Sequence, residues 1–271
     1  MAEYRVLVDD CVRAMRRLPE GSVNTCVTSP PYFGLRDYGC DGQIGNEATP
    51  EAFIEQLVRV FRAVRRVLRD DGTLWLNLGD SYGKGKQLLG VPWRVAFALQ
   101  ADGWILRQDI IWHKPNPMPE SVRDRCTKAH EYVFLFSKSQ KYFYDAESIK
   151  TPVKQDWGTR NRAAGKYHNE GSGLAPHSGL EKSYQTANKR SVWSVTSKPF
   201  KGAHFATFPP ELIEPCILAG CPEGGTVLDP FGGSGTTAGV AVKHGRNAIL
   251  CELNQDYADL IPARVASIVG G

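Results

Sequence analysis

One stretch limits the possible folds more than any other: TVLDPFGGSGTTAGVAVKHGRNAILCELN, residues 226–254. A short apolar run ends at Asp229. Gly232, Gly233 and Gly235 then make a tight loop, a helix is expected from about Thr236, and a second apolar run ends in Glu252. Strand, glycine loop, helix and acid-terminated strand form the βαβ unit that binds nucleosides. The glycines let backbone approach the ligand, and an acid about 20 residues on accepts ribose hydroxyls. The loop reads GGSG rather than GxGxxG, and Asp229 and Phe231 stand at its mouth. A pyrophosphate needs bare amides at a helix N-terminus, and a carboxylate there repels it. That disfavours a dinucleotide oxidoreductase. The same carboxylate suits a cationic ligand carrying a sulfonium or an amino group, and S-adenosyl-L-methionine carries both.

Near the other end of the chain lies VTSPPYFGLRDYG, residues 27–39. Ser29 precedes a proline and is driven to extended geometry. Pro30 and Pro31 have fixed φ and no N–H to donate. The local groups are therefore acceptors, the Ser29 hydroxyl and backbone carbonyls, beside the flat face of Tyr32. Acceptors next to an aromatic face suit a planar ligand with an exocyclic amino group. The lone pair of such an amine is delocalised into its ring. Acceptors that hold both amine hydrogens turn that pair toward an electrophilic methyl, so positioning and electrostatics would carry the acceleration without a covalent intermediate. A duplex base must leave the stack to be reached, and stacking on Tyr32 would offset part of that cost, about 1–3 kcal/mol.

Hydrophobic periodicity supplies the frame. Strands are expected at 4–10, 24–29, 73–83, 104–114 and 131–139, and helices at 11–21, 49–72, 91–103 and 209–220. In the helix at 49–72, Thr49 and Pro50 suit the start, and Phe53, Leu57, Val60, Phe61, Val64, Val67 and Leu68 share a face. Its other face carries Arg59, Arg62, Arg65, Arg66 and Arg69, read as a solvated face in preference to a nucleic-acid stripe. Strands alternating with helices imply a mostly parallel sheet covered on both sides. Between about 150 and 200 the periodicity fades into a loop-rich segment punctuated by Trp157, Tyr167, Tyr184 and Trp193. Residues 151–201 hold nine Lys/Arg against three Asp/Glu, a charge of 9 − 3 = +6 in a chain whose total is +4. A basic, aromatic-bearing segment on a near-neutral body suggests a polyanionic partner.

Composition narrows the class. With 271 residues, 42% of them hydrophobic, the chain fits one large domain or one domain with a modest insertion. Its apolar runs fall short of the roughly 20 residues of a membrane span, and MAEYRVLVDD has acids where a signal peptide has bases. A soluble intracellular protein with no membrane partner is expected. The seven cysteines contain no CxxC pair, so neither a metal site nor a disulfide frame is expected.

Taken together, these motifs resemble those of the beta-class DNA amino-methyltransferases, which use S-adenosyl-L-methionine to modify adenine N6 or cytosine N4. TSPPY at 28–32 resembles their catalytic motif and LDPFGGSGTT at 228–237 their cofactor motif. HFATFPPELIEP at 204–215 resembles the segment that precedes it, and LNLGDSY and IIWHKPNPMPESVRDR are similar in style. The proline motif comes first and the glycine motif last, which is the beta-class permutation. The resemblance implies a circularly permuted Rossmann-like α/β methyltransferase fold, mostly parallel with an antiparallel strand, plus a loop-rich target-recognition insertion. It divides the chain into a catalytic part (1–150), the insertion (151–200) and the cofactor-binding part of the same domain (201–271).

Carried over by position, Ser29, Pro30, Pro31 and Tyr32 would hold the base. Asp229, Phe231, Gly233, Gly235, Thr236 and Thr237 would surround the cofactor, helped by Phe205 and Thr207. The family's sheet order makes residues 4–10 the third strand, with Asp10 beside the adenine and Glu252 on the ribose. His204, Lys114 and Asn116 are candidates at the pocket. Ser at position 29 tilts the target toward cytosine N4 over adenine N6. The implied partners are double-stranded DNA, a cognate restriction endonuclease and a second copy of the chain, in the cytoplasm of a bacterial, phage or archaeal host.

Three rivals remain on the residues. Methylation of a cytosine carbon needs a cysteine nucleophile, and Pro215-Cys216 lies within an apparent helix. RNA and protein-glutamine methyltransferases use a similar mouth, but place the glycine site first and usually Asn where Ser29 stands. A catalytically silent DNA-binding relative would not need Ser29, Tyr32, Asp229 and Glu252 together.

Overall fold

A computed structural model describes residues 2–37, 39–153, 185–197 and 208–271. Phe205, Thr207, His204, Trp157, Tyr167 and Tyr184 lie outside the described residues. The elements in chain order begin with β1 (Tyr4–Val8), α1 (Cys11–Met15), β2 (Val23–Thr28), α2 (Pro50–Val67) and β3 (Leu68–Leu78). They continue with α3 (Val91–Ala101), β4 (Ile105–His113), β5 (His130–Ser137), β6 (Thr151–Pro152), β7 (Thr186–Ala187) and β8 (Val192–Ser194). The last group is α4 (Pro210–Gly220), β9 (Thr226–Asp229), α5 (Thr236–Lys243), β10 (Asn247–Glu252), α6 (Gln255–Ala258) and α7 (Ile261–Val269).

Among the described residues the main sheet has eight strands in the order β1-β10-β9-β2-β3-β5-β4-β8. All pairings are parallel except the two made by β5. The expected α/β fold with one antiparallel strand is what the chain forms, and residues 4–8 are the third strand counted outward from β9. The order also explains how two distant motifs meet. β2 and β9 are neighbours, with Thr25 opposite Val227 and Cys26 opposite Leu228. The proline mouth and the glycine loop therefore leave adjacent strands at the same sheet edge, where strand order reverses. That is where ligands bind in open α/β sheets.

Side-chain alternation fills both faces. Leu74, Leu76, Leu78, Phe134 and Phe136 pack with α1, α2 and α3 on one side. Trp75, Val133, Leu135, Val227 and Leu250 pack with α4, α5 and α7 on the other. A sheet buried on both faces gives the continuous apolar runs seen in the sequence. α2 starts as expected, with the Thr49 hydroxyl accepting from the Ala52 amide at 3.2 Å and Pro50 in the first turn.

Four local readings change. α2 ends at Val67, not Gly72, because buried Leu68 turns extended (φ −69°, ψ 140°) and pairs with Val23, so that the turn sequence RDDG runs inside β3. α1 is five residues rather than eleven. Val192–Ser194, in the segment where periodicity fades, joins the sheet beside β4 and buries Trp193. Three residues are too few to show a period. The C-terminal helices had no assignment from the sequence; α7 covers α5 through Ile261 and Ile268.

The arginine face of α2 is largely engaged locally. Arg62 pairs with Asp102 and Arg66 donates to the Met15 and Leu18 carbonyls; Arg69, expected on the same face, lies in β3 and pairs with Asp71.

Candidate active site

The parallel strands all end at one edge, and antiparallel β5 begins there, so its first residues join theirs. A cavity of about 860 Å³ opens at this edge, toward the upper end of small-molecule pockets, roughly 300–1,000 Å³. Both motifs line it. Ser29, Pro30, Pro31 and Tyr32 form one end, and Asp10, Asp229, Phe231, Gly233, Thr236 and Glu252 the other. Gly235 and Thr237 are not in the lining. Gly235 starts α5 at φ 90°, and a Cβ there would meet Ile261 at 2.8 Å. Thr237 is buried and donates to Asp229.

Asp229 is 2% exposed and tied into the wall. One oxygen accepts from the Thr28 hydroxyl at 2.6 Å and the Phe231 amide at 3.0 Å, and the other from Thr237 at 2.6 Å. Burial pushes its carboxyl above the ordinary range, against the pull of those hydrogen bonds. Thr28 directly precedes Ser29, so this carboxylate joins the end of β2 to the start of α5. Glu252 accepts from the Gly233 amide at 2.7 Å and the Asn254 amide at 2.9 Å, and burial raises it too. Each carboxylate oxygen of Glu252 keeps a lone pair for a further donor.

The amides of Phe231 and Gly233 are thus already engaged by protein carboxylates. That removes two of the donors a pyrophosphate would need. Ser234 Oγ and Thr236 Oγ1 are buried in the lining with no partner among the described residues. A buried hydroxyl left unpaired costs about 1–3 kcal/mol, so a polar ligand fits there. Asp10 lines the same end while its side chain caps α1 by accepting from the Arg13 amide at 2.8 Å; neighbouring Asp9 is held by Arg13 and Arg17.

The mouth end is a side-chain network. The Tyr32 hydroxyl lies 2.7 Å from Glu131 Oε2, 3.2 Å from Asn77 Oδ1 and 3.4 Å from Ser29 Oγ. The Asn77 amide donates to Glu131 at 3.2 Å and to the Tyr132 carbonyl at 3.0 Å. Lys114 pairs with the other Glu131 oxygen and sits 4.3 Å over the Trp112 ring. The Tyr32 ring lies so close to Gly79 that a Cβ there would be 2.5 Å from it. Asn116 bonds Ser197 through both its amide nitrogen and its oxygen, which ties the loop after β4 to the strand region after β8.

Sequence reasoning missed Thr28, Asn77, His130, Glu131 and Lys128, of which all but Thr28 line the cavity. One signal was available: an acid opening the apolar run HEYVFLF is out of place unless that strand begins at the site. Lys128 donates to the Asp80 carbonyl at 3.1 Å, and burial lowers its ammonium. Cys216 is buried, its thiol is raised by burial, and it does not line the cavity, so it is no nucleophile for carbon methylation there. Among the described residues no acidic, His or Cys group is arranged to hold a metal, and no helix is long and apolar enough to cross a membrane.

Comparisons with known proteins identify the family. The model of a DNA methylase family acting at N6 and N4 matches residues 23–262. The type II methyltransferase M.XycI of Xanthomonas campestris pv. cyanopsidis is 46% identical over 94% of this chain and 85% of its own length. M.SmaI of Serratia marcescens is 44% identical over 96% and 90%. Among solved structures, PvuII DNA methyltransferase, described as cytosine-N4-specific, superposes with a TM-score of 0.73 at 20% identity, covering 100% of this chain and 92% of that one. A DNA modification methylase of Thermus thermophilus, TTHA0409, complexed with S-adenosyl-L-methionine, gives 0.67 at 27% identity, covering 100% and 97%.

Proposed function

The chain belongs to the N6/N4 DNA methylase family, an S-adenosyl-L-methionine-dependent DNA methyltransferase, and on that premise we propose that it methylates cytosine N4 in duplex DNA at a base turned out of the helix. One observation supports this reading above the others: the proline mouth and the glycine loop leave neighbouring strands and line one cavity.

When bound, S-adenosyl-L-methionine supplies an electrophilic methyl group. The cofactor end of the cavity would hold it through Glu252 and Asp10 on the nucleoside, with Ser234 and Thr236 giving their unpaired hydroxyls. Ser29 Oγ and the carbonyls beside the prolines would accept the two hydrogens of the target amine. Pro30 and Pro31 bring no competing N–H. Tyr32 offers a face for the base, and its edge against Gly79 keeps the ring from turning. Direct in-line transfer then needs no protein nucleophile.

Serine at position 29 favours cytosine over adenine. The basic segment 151–200 is assigned target recognition, with its Lys/Arg on phosphates and its polar side chains on base edges. A restriction endonuclease with the same target, a homodimer and a cytoplasmic setting complete the proposal. Expression in a bacterium without DNA methylation, followed by single-molecule sequencing of its DNA, tests it. N4-methylcytosine at one short sequence is expected. N6-methyladenine would overturn the choice of base, and unmodified DNA the whole reading.

A further inference from the structure

Glu131 is placed where nothing in the transfer itself calls for a carboxylate. It is the second residue of antiparallel β5, is half-buried, and faces Tyr32 and Asn77 with one oxygen and Lys114 with the other. A half-buried carboxylate paired with a half-buried ammonium is costly to desolvate and is weak evidence of a stability role.

Its consequence follows from proton counting. The Tyr32 hydroxyl has one proton and two lone pairs. Among the described residues three side chains, Glu131, Asn77 and Ser29, lie within hydrogen-bond reach of it, and the anionic one is also the nearest, at 2.7 Å. A charged acceptor makes the stronger bond, so the tyrosine proton goes to Glu131. Asn77 cannot reverse this, because its NH₂ is spent on Glu131 and the Tyr132 carbonyl. The tyrosine oxygen is then left as an acceptor, and the group positioned to donate to it is Ser29, 3.4 Å away. With its proton directed at Tyr32, Ser29 Oγ presents lone pairs to the cavity. Those lone pairs are what an incoming amine requires.

We propose that Glu131 is a positioning residue that sets the direction of hydrogen bonding along Tyr32 and Ser29, so that Ser29 always meets the substrate as an acceptor and the Tyr32 ring stays in one plane. Lys114, held over Trp112, aims the Glu131 carboxylate through the ion pair with its other oxygen. The inference rests on the proposed roles of Ser29 and Tyr32 as the groups that hold the base.

The test is steady-state methyl transfer from tritiated S-adenosyl-L-methionine to unmodified DNA containing the mapped target, with cofactor affinity and unfolding measured alongside. Glu131→Ala should lower kcat about tenfold or more, leaving cofactor Kd unchanged. Tyr32→Phe, which keeps the ring but cuts the chain, should do the same. The double variant should be no worse than the poorer single one, because both break one chain. Glu131→Gln, whose carbonyl can still accept from Tyr32, should recover part of the loss. Additive losses in the double variant, or full activity in Glu131→Ala, would overturn the inference. A kcat loss that tracks a fall in unfolding free energy and is not eased by Gln would also overturn it, leaving a structural role. Tyr32→Ala separates the layers: full activity there would sink the underlying placement of the base, whereas its inactivity beside a fully active Glu131→Ala sinks this inference alone.

Discussion

The two ends of the cavity are built by opposite means. The proposed cofactor end is backbone held by carboxylates: Asp229 and Glu252 hold the loop amides of Phe231 and Gly233, and glycine-loop and helix-start residues supply the wall. The proposed base end is side chains on several strands, with Ser29 and Tyr32 after β2, Asn77 on β3, and Glu131 on β5 against Lys114 just past β4. A backbone site is written in a short contiguous motif, because close approach dictates glycine. A side-chain network is written across the whole chain, because any strand that reaches the sheet edge can contribute. Asp229 belongs to both ends, since Thr28 leads into the mouth and Thr237 into the cofactor helix.

That double membership gives the largest expected effect. Asp229→Ala would strand three donors, the buried Thr28 and Thr237 hydroxyls and the half-buried Phe231 amide. At about 1–3 kcal/mol for each unsatisfied group, urea unfolding should show a loss of at least about 3 kcal/mol, and calorimetry a weakened cofactor affinity. Asp229→Asn, which keeps the acceptor oxygen, should lose less of both. A stable Asp229→Ala variant with normal affinity would mean that the two ends are independent.

Ser29→Ala should separate the ends cleanly. It removes one acceptor from the base end and nothing from the other. Loss of one preorganised transition-state partner costs about a hundredfold in kcat, and cofactor Kd should stay as it was. A parallel change in cofactor affinity would show that the mouth also shapes the cofactor site. Thr28→Val comes next. It deletes one of three donors to Asp229 while keeping shape, so about 1–2 kcal/mol of stability should go. A small drop in kcat should accompany it, since the residue fixes the strand end that carries Ser29. An unchanged unfolding curve would remove Thr28 from the clamp.

The same contrast explains what could be read from the sequence. The fold was legible because strands buried on both faces are apolar throughout and the helices between them are periodic. The glycine loop and the proline mouth were legible because each is set by local backbone chemistry. Glu131, Asn77 and Thr28 were not, since a single polar residue near the end of an apolar run carries no sign of what it will face. Asp229 was legible at the loop mouth, but the three donors that tie it into the wall were not, because Thr28 lies 201 residues away in sequence. The end of α2 was misplaced because RDDG has the composition of a turn, and only pairing of Leu68 with Val23 makes it strand.

The smallest effect concerns protons, and it distinguishes a closed carboxylate from one that meets the ligand. Burial raises both Asp229 and Glu252 above the ordinary carboxylate range. A raised carboxyl binds its proton more tightly folded than unfolded. Stability without ligand should therefore fall as pH rises from the ordinary carboxylate range through the raised values. Cofactor affinity should run the other way, because only ionised Glu252 offers ribose hydroxyls its full set of acceptors. Affinity should weaken as pH falls through the raised value, by no more than about tenfold per pH unit for a single proton. Thermal unfolding with and without S-adenosyl-L-methionine across that range measures both slopes. Glu252→Gln should flatten the affinity slope and leave the part of the stability slope that Asp229 carries. If the affinity slope survives Glu252→Gln, the proton sits on Asp229, and the wall carboxylate senses the cofactor after all.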